Sequence, residues 1–558
     1  MTGPKAGSRR GATLGVAAAV VVVVVLLVVV LVVFTRHGSG PSAGGPAASG
    51  PPTGSPPVAA AEAKTATPIK HVVVLFDENI SFDHYFGTYP HAANTDGTPF
   101  TATPGTPGIN GLTPELLTHN PNLHNPKRLT HDQALTCDQH HNYDKEQRSY
   151  DNGAADKFVQ NTEVATCTGQ PVLFGEPGID LDYYDGNTVT ALWNYAQHFA
   201  MSDNYFAANY GPSSPGALNL VAGNTHGIRV YDAKTGKPTT DLNISASPDA
   251  NGVGTMIFDP DPLLDECSDV NRTTSDTLAD FTGRTVGDLL NNQRLTWGWF
   301  HGGFTPTSRD ASGKAVCGAT HANVGGNMVL DYVPHHDPFQ YFASTMNPGH
   351  LPPSSVAAIG STDQANHNYD LTDFDAALAA GNLPSVTYLK PPASRNAHAG
   401  NSTPTDEQRF LVEEINKIQR SPQWPSTAIF VTYDDSDGWY DHVMPPLVNG
   451  SNDPARDSAP CTTTPASHGY LDRCGYGPRL PLLVISPYSR VNYVDHGLST
   501  QDSVLRFIED NWSLGRIGDG SYDESAPSLV RPDGMFDFTA AAHTTPLLLD
   551  PDTGAVTH

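Results

Sequence analysis

The sequence predicts an α/β fold with a mainly parallel sheet covered by helices on both faces. Two patterns carry this: short apolar runs without polar alternation, and amphipathic stretches lying between them. Strands buried on both faces read as continuous β-branched and apolar runs rather than alternating ones. Lys70–Phe76, Ser385–Leu389, Thr427–Tyr433 and Leu480–Ser486 read this way. Asp406–Gln419 and Gln501–Asn511 have helical spacing, the second with Val504, Leu505, Phe507 and Ile508 along one stripe. Strands interleaved with helices imply crossover connections, and chemistry in such sheets gathers at the carboxyl ends of the strands.

Ahead of that region, Ala12–Phe34 is a nearly unbroken Val/Leu/Ala run. It meets the length of about 20 apolar residues that a helix needs to cross a bilayer. Lys5, Arg9 and Arg10 precede it, so the positive-inside tendency puts residues 1–11 in the cytoplasm, 12–34 in the membrane and the remainder outside. Arg36 weakens this asymmetry without reversing it. The alternative is a cleaved signal peptide, whose apolar region is usually shorter, at roughly 7–15 residues; cleavage would make the protein secreted. Residues 35–68 are Gly, Pro, Ser and Ala with almost no large apolar side chains, and read as a flexible linker. Residues 69–558 remain as one extracytoplasmic domain.

With 31 Lys+Arg against 58 Asp+Glu the formal net charge is −27, which argues against a general nucleic-acid binder. No feature signals an obligate protein partner. The chain has 51 Gly and 47 Pro, and the Pro-, Thr-, Asn- and Gly-rich stretch Thr88–Thr130 reads as a long surface excursion. Cys137, Cys167, Cys267, Cys317, Cys461 and Cys474 are widely spaced with no C-x-x-C, which disfavours a structural zinc cluster. An even number in an exported chain suits disulfides, with free buried thiols as the alternative; spacing alone leaves the pairing open.

Two of the predicted strands end in bursts of oxygen donors: Asp77-Glu78-Asn79 after the first and Asp434-Asp435-Ser436-Asp437 after the third. Two carboxylates about 4 Å apart repel by roughly 4 kcal/mol at an effective dielectric near 20, so crowding them calls for a cation or a proton. Glu78, Asn79, Asp434 and Asp435 offer only oxygen ligands, the set that suits a hard divalent ion. Taken singly, either burst also reads as turn and helix-cap chemistry. Asn209–Gly216 (NYGPSSPG) holds Ser213 on a Gly/Pro-defined turn, where a hydroxyl can be exposed and activated by a metal; an ordinary Ser/Pro turn is the plainer reading. His335 and His336, in PHHDPF, and His398, in NAHAG, are of the type that donates to phosphoryl oxygens or protonates a leaving alcohol.

These segments together resemble the bacterial phosphoesterase family of non-zinc phospholipases C and metal-dependent acid phosphatases. DENISFDHYFG, Asp77–Gly87, and YDDSDGWYDH, Tyr433–His442, carry the resemblance. Asp138–His141, Asn152–Val159, Asp331–Phe339, His367–Asp370, Cys474–Tyr488, Asp495-His496, Phe507–Trp512 and Phe536–Phe538 extend it to near the end of the chain. The resemblance implies an alkaline-phosphatase-like core and one divalent metal ion of unknown identity held by Glu78, Asn79, Asp434 and Asp435. It implies Ser213 as nucleophile, His398 as the acid for the leaving group and His336 near the phosphate, with His335, His141 and His367 as further substrate contacts. Where the family often has Asn-Arg after the second Pro of the nucleophile turn, Gly216-Ala217 stand here, which puts the neighbouring contacts in doubt.

The expected function is metal-assisted hydrolysis of a phosphoester through a Ser213 phosphoenzyme, as a phospholipase C acting on phospholipid head groups. The alternatives are an acid phosphatase acting on monoesters, a catalytically silent envelope protein that binds phosphate-bearing ligands, and a cell-surface adhesion module. Trp297, Trp299 and Trp439 are candidates for an aromatic cage around a choline group, although tryptophan more often packs in a core.

Overall fold

In this computed structural model residues 62–167, 173–268, 277–451, 453–465 and 473–557 are described, and all of them fall in one compact unit. The expected cytoplasmic segment 1–11, anchor 12–34 and most of the linker 35–68 lie outside the described residues. Among those residues no helix is long and apolar enough to cross a membrane.

The apolar runs form the centre of an eight-stranded sheet. Its strands are β1 (His71–Asp77), β2 (Ala200–Ser202), β3 (Trp297–His301), β4 (Asn368–Asp370), β5 (Val386–Lys390), β6 (Thr427–Tyr433), β7 (Leu482–Ile485) and β8 (Tyr493–Asp495), in the order β4-β3-β5-β1-β6-β7-β2-β8. β4, β3, β5, β1 and β6 pair in parallel, as do β2 and β8. The predicted strand Leu480–Ser486 is present as β7, but it runs antiparallel to both β6 and β2, so the sheet is mixed. The reason is the connection: the chain leaves β6 into a long excursion at the carboxyl end of the sheet and re-enters from that same end, which needs no crossover helix. Four short strands, β2, β3, β4 and β8, were not legible as runs.

Among the described residues, six helices cover the sheet: α1 (Thr190–His198), α2 (Ser213–Ala222), α3 (Val286–Asn292), α4 (Leu371–Ala379), α5 (Pro404–Arg420) and α6 (Gln501–Trp512). Alternate side chains of the same strand serve opposite layers. Val72, Val74 and Phe76 of β1 pack with Leu218 and Val221 of α2, Leu290 of α3 and Leu505 and Ile508 of α6. Val73 and Leu75 face the other way, into Trp193 of α1, Phe374 of α4 and Leu411 and Ile415 of α5. This is why the run in β1 shows no alternation. Helix α5 begins where its sequence says it should: the Thr403 side chain accepts from the Asp406 amide and Pro404 occupies the first turn.

A smaller five-stranded sheet is built from Ser245–Ala246, Gly254–Met256, His226–Asp232, Thr277–Phe281 and Asp261–Pro262 in that spatial order, and all but the last pairing are antiparallel. It follows directly on α2. The six cysteines form Cys137–Cys167, Cys267–Cys317 and Cys461–Cys474, each pair being neighbours in the sequence.

The Cys267–Cys317 bridge closes a loop of 50 residues. On the chain-entropy model a C267S/C317S double variant should lose about 4 kcal/mol of unfolding free energy, read from urea denaturation against the oxidised wild type. A loss near zero would show that the bridge constrains nothing in the unfolded chain.

Candidate active site

Strand register builds the site. Asp77 at the end of β1 lies beside Tyr433 at the end of β6, so the residues that follow, Glu78-Asn79 and Asp434-Asp435, leave the sheet side by side. Asn79 sits at φ 63°, a left-handed conformation that Asn tolerates better than most residues. Its amide donates to Asp434 Oδ1 at 2.9 Å, and the Ile80 amide donates to the Asp435 carbonyl at 3.0 Å. The Asp435 amide adds a second bond to Asp434 Oδ1, at 2.8 Å. All four predicted ligands are buried.

Ser213 is the first residue of α2, with Pro212 extended before it. Its Oγ lies 3.2 Å from Glu78 Oε2, 3.4 Å from Asn79 Oδ1 and 3.1 Å from Asp435 Oδ2. A hydroxyl has one proton, so it cannot donate to three oxygens at once, and lone pairs are left facing lone pairs. An oxygen-only donor set packed this way fits a hard divalent cation. The approach depends on Gly216: a Cβ there would lie 2.1 Å from the Asp434 carbonyl oxygen. The missing side chain at Gly216 thus lets the first turn of α2 press against the loop that carries Asp434.

The burial of so much acid is partly offset by a residue that sequence reasoning missed. Lys390, the last residue of β5 and fully buried, contacts Glu78 Oε1 and lies 3.5 Å from Asp434 Oδ2. Burial disfavours its ammonium, but Glu78 and Asp434 outweigh that and hold Lys390 above its ordinary value. Burial also opposes the charge on Asp434, yet Lys390 and the surrounding hydrogen bonds hold it below the usual range. Burial first, and then the neighbouring Asp434 charge, push both Glu78 and Asp435 well above that range, against Lys390 beside Glu78 and His141 beside Asp435. Beside them Asp77, buried with neither carboxylate oxygen hydrogen-bonded, is pushed up first by burial and then by Glu407. The available signal was position: Lys390 ends an apolar strand that pairs with β1.

Ser213 opens onto a cleft of about 620 Å³ lined by His141, His335, His336 and His398 among others. His336 Nδ1 is 3.1 Å from Glu78 Oε1, and burial with its cationic neighbours keeps the ring well below its ordinary pKa. His335 pairs with Asp261 at 3.2 Å; burial opposes its charge, but Asp261 and Asp259 raise it. His141 lies 3.0 Å from Asp437 Oδ1, and Asp435, Asp437 and Asp138 overcome burial to hold it well above its usual value. Its ring centroid is 6.3 Å from that of His398. Both nitrogens of His398 are not committed alike: Nδ1 lies 2.6 Å from the Ala399 carbonyl oxygen.

His367 is a correction. It lies outside the cleft lining, stacks on Trp297 at 4.2 Å, and engages the Trp297 carbonyl through Nδ1 and Thr362 Oγ1 through Nε2. Burial lowers its pKa to about 4, so it packs as a neutral core residue. Trp297, Trp299 and Trp439 are likewise fully buried and line no part of the cleft, Trp439 stacking on His84 at 3.9 Å. Among the described residues, two other clusters of metal-ligating side chains have their own explanations. Asp83 and Asp441 share the buried Arg479, at 2.9 and 3.0 Å, and Cys267 and Cys317 beside His350 are oxidised to a disulfide. Asp138, His141 and Asp437 form a third group on the cleft.

The model of the Phosphoesterase family matches residues 69–515. The chain is 24% identical to phospholipase C B of Mycobacterium tuberculosis, covering 80% of this chain and 74% of that one. It is 23% identical to the non-hemolytic phospholipase C of Pseudomonas aeruginosa, covering 80% of this chain but only 54% of the relative's length. Among solved structures, a protein in the alkaline phosphatase superfamily from Vibrio parahaemolyticus aligns over 66% of this chain and 75% of that one, with 13% identity and a TM-score of 0.26, too loose a likeness to bear on the chemistry.

Removing one member of a buried ion pair strands its partner's charge. Lys390→Met should therefore lower the unfolding free energy of chelator-treated protein by about 3–5 kcal/mol in urea denaturation. Unchanged stability would mean that the ammonium does not hold the acids together.

Proposed function

The chain belongs to the Phosphoesterase family, and from that premise we propose that it hydrolyses phosphoesters through a phosphorylated Ser213, acting as a phospholipase C on phospholipid head groups. The observation that carries this reading is the placement of Ser213 Oγ within 3.4 Å of oxygens of Glu78, Asn79 and Asp435, which come from two separate strand ends. Glu78, Asn79, Asp434 and Asp435 would hold one divalent ion. When bound, such an ion supplies Lewis acidity, favouring the alkoxide of a coordinated hydroxyl and offsetting charge on a non-bridging phosphoryl oxygen.

Ser213 Oγ, its proton released to solvent, attacks phosphorus as the alkoxide; the Oγ–P bond forms and the P–O bond to the alcohol breaks. His398, on its loop beside the cleft, gives its proton to the departing oxygen. Water then cleaves the phosphoserine, with the unprotonated His398 taking the water's proton, and Ser213 is regenerated. His141, raised by the charges of Asp435 and Asp437, and His335, raised by Asp261 and Asp259, donate to phosphoryl oxygens, with His336 beside them near the phosphate. On a phosphatidyl substrate the products are diacylglycerol and the phosphorylated head group.

The same proposal places residues 69–558 outside the cytoplasm as the catalytic domain, anchored by the N-terminal apolar run. Three disulfides support an oxidising compartment.

Ser213→Ala and Asp434→Asn should each lower kcat/KM on bis(p-nitrophenyl) phosphate by at least about 10²-fold. Near-wild-type rates in folded variants would refute the nucleophile and ligand assignments. Chelation should abolish turnover, and a divalent ion should restore it.

A further inference from the structure

The amino end of a helix is a ready anion site, with amides pointing outward and the dipole favouring negative charge. Helix α2 starts at Ser213, where a substrate phosphoryl group has to sit during attack. Yet one of its first-turn amides is already taken: Ser214 N–H donates to Asp259 Oδ1 at 2.8 Å. Asp259 arrives from the smaller sheet, in the segment between Gly254–Met256 and Asp261–Pro262, and lines the same cleft as Ser213, His335 and His336. The attachment is reinforced next door, where Ser214 Oγ donates to the His335 carbonyl at 3.3 Å and His335 Nδ1 pairs with Asp261. Asp259 and Asp261 thus bracket His335 on this wall of the cleft.

We infer that Asp259 is a specificity-determining residue that selects monoanionic phosphodiesters over dianionic phosphomonoesters. The inference rests on the phosphoesterase reading and decides between its two substrate classes. A phosphomonoester carries close to two negative charges above its second pKa, near 6, whereas a diester carries one at any pH of interest. A carboxylate held by the amide of the residue that follows Ser213 penalises the extra charge and leaves the diester less affected. It also removes one amide that would otherwise bind the third phosphoryl oxygen, which in a diester is esterified and needs no donor.

The experiment compares kcat/KM for bis(p-nitrophenyl) phosphate and p-nitrophenyl phosphate at pH 7.5 (about 1.5 units above that second pKa), together with inhibition by inorganic phosphate. Wild type should favour the diester. Asp259→Asn keeps an acceptor for the Ser214 amide while removing the charge, and should raise monoester kcat/KM and tighten phosphate inhibition by about tenfold each, with diester kcat/KM changed far less. Asp259→Glu, which retains the charge, should keep the wild-type ratio. Asp259→Ser is the second neutral variant should the Asn protein fail to fold. A lowered melting temperature with an unmoved ratio would make Asp259 a mere cap on α2 and overturn the inference, as would a wild type that prefers the monoester. A wild type that hydrolyses neither ester would instead overturn the phosphoesterase reading itself.

Discussion

Too many buried oxygens surround one hydroxyl: this is the constraint on which the rest of the structure depends. Parallel pairing of β1 with β6 fixes Glu78-Asn79 against Asp434-Asp435, and pairing of β1 with β5 delivers Lys390 to the same end of the sheet. The Asn79 amide on the Asp434 carboxylate and the Ile80 amide on the Asp435 carbonyl hold the two loops at contact distance, so the acids cannot relax apart to relieve repulsion. Proton uptake by Glu78 and Asp435 is one response, and both are pushed in that direction. A cation is the other, and Lys390 supplies one positive charge to Glu78 and Asp434 where several carboxylates meet.

Each surrounding feature can be read as support for that cluster. Gly216 allows α2 to approach until Ser213 reaches the acids. The long excursion between β6 and β7 carries Asp437, which orients His141 from one side of the cleft, while Asp261 of the smaller sheet orients His335 from the other. The site is thus assembled from segments that are remote in sequence, with the rigid sheet as the common reference.

Much of this was legible in the sequence because the central strands are long enough to show their pattern. β1 and β6 are seven residues each, buried on both faces, and end in acid bursts that point to the carboxyl edge of the sheet. Glu78, Asn79, Asp434, Asp435 and Ser213, singled out from the acid bursts, the Gly/Pro turn and the family resemblance, are brought together by the fold. Shorter elements left no trace: three-residue strands such as β2, β4 and β8 carry too few positions for any period. The antiparallel course of β7 depends on how a long loop returns, which local pattern does not encode. His367 and the three tryptophans looked available because polarity and aromaticity are visible in sequence while burial against a particular neighbour is not. Lys390 was overlooked for the opposite reason, since a lysine ending an apolar run looks like a solvated strand end.

The central claim is that the oxygens around Ser213 are a cation site rather than a protonated acid cluster. Anomalous diffraction from crystals equilibrated with Mn²⁺ tests it directly. The account predicts a single ion with ligand distances of about 2.0–2.6 Å to oxygens of Glu78, Asn79, Asp434 and Asp435, adjacent to Ser213 Oγ. An ion found only at Asp138, His141 and Asp437, or no ion with Lys390 still seated between Glu78 and Asp434, would contradict it.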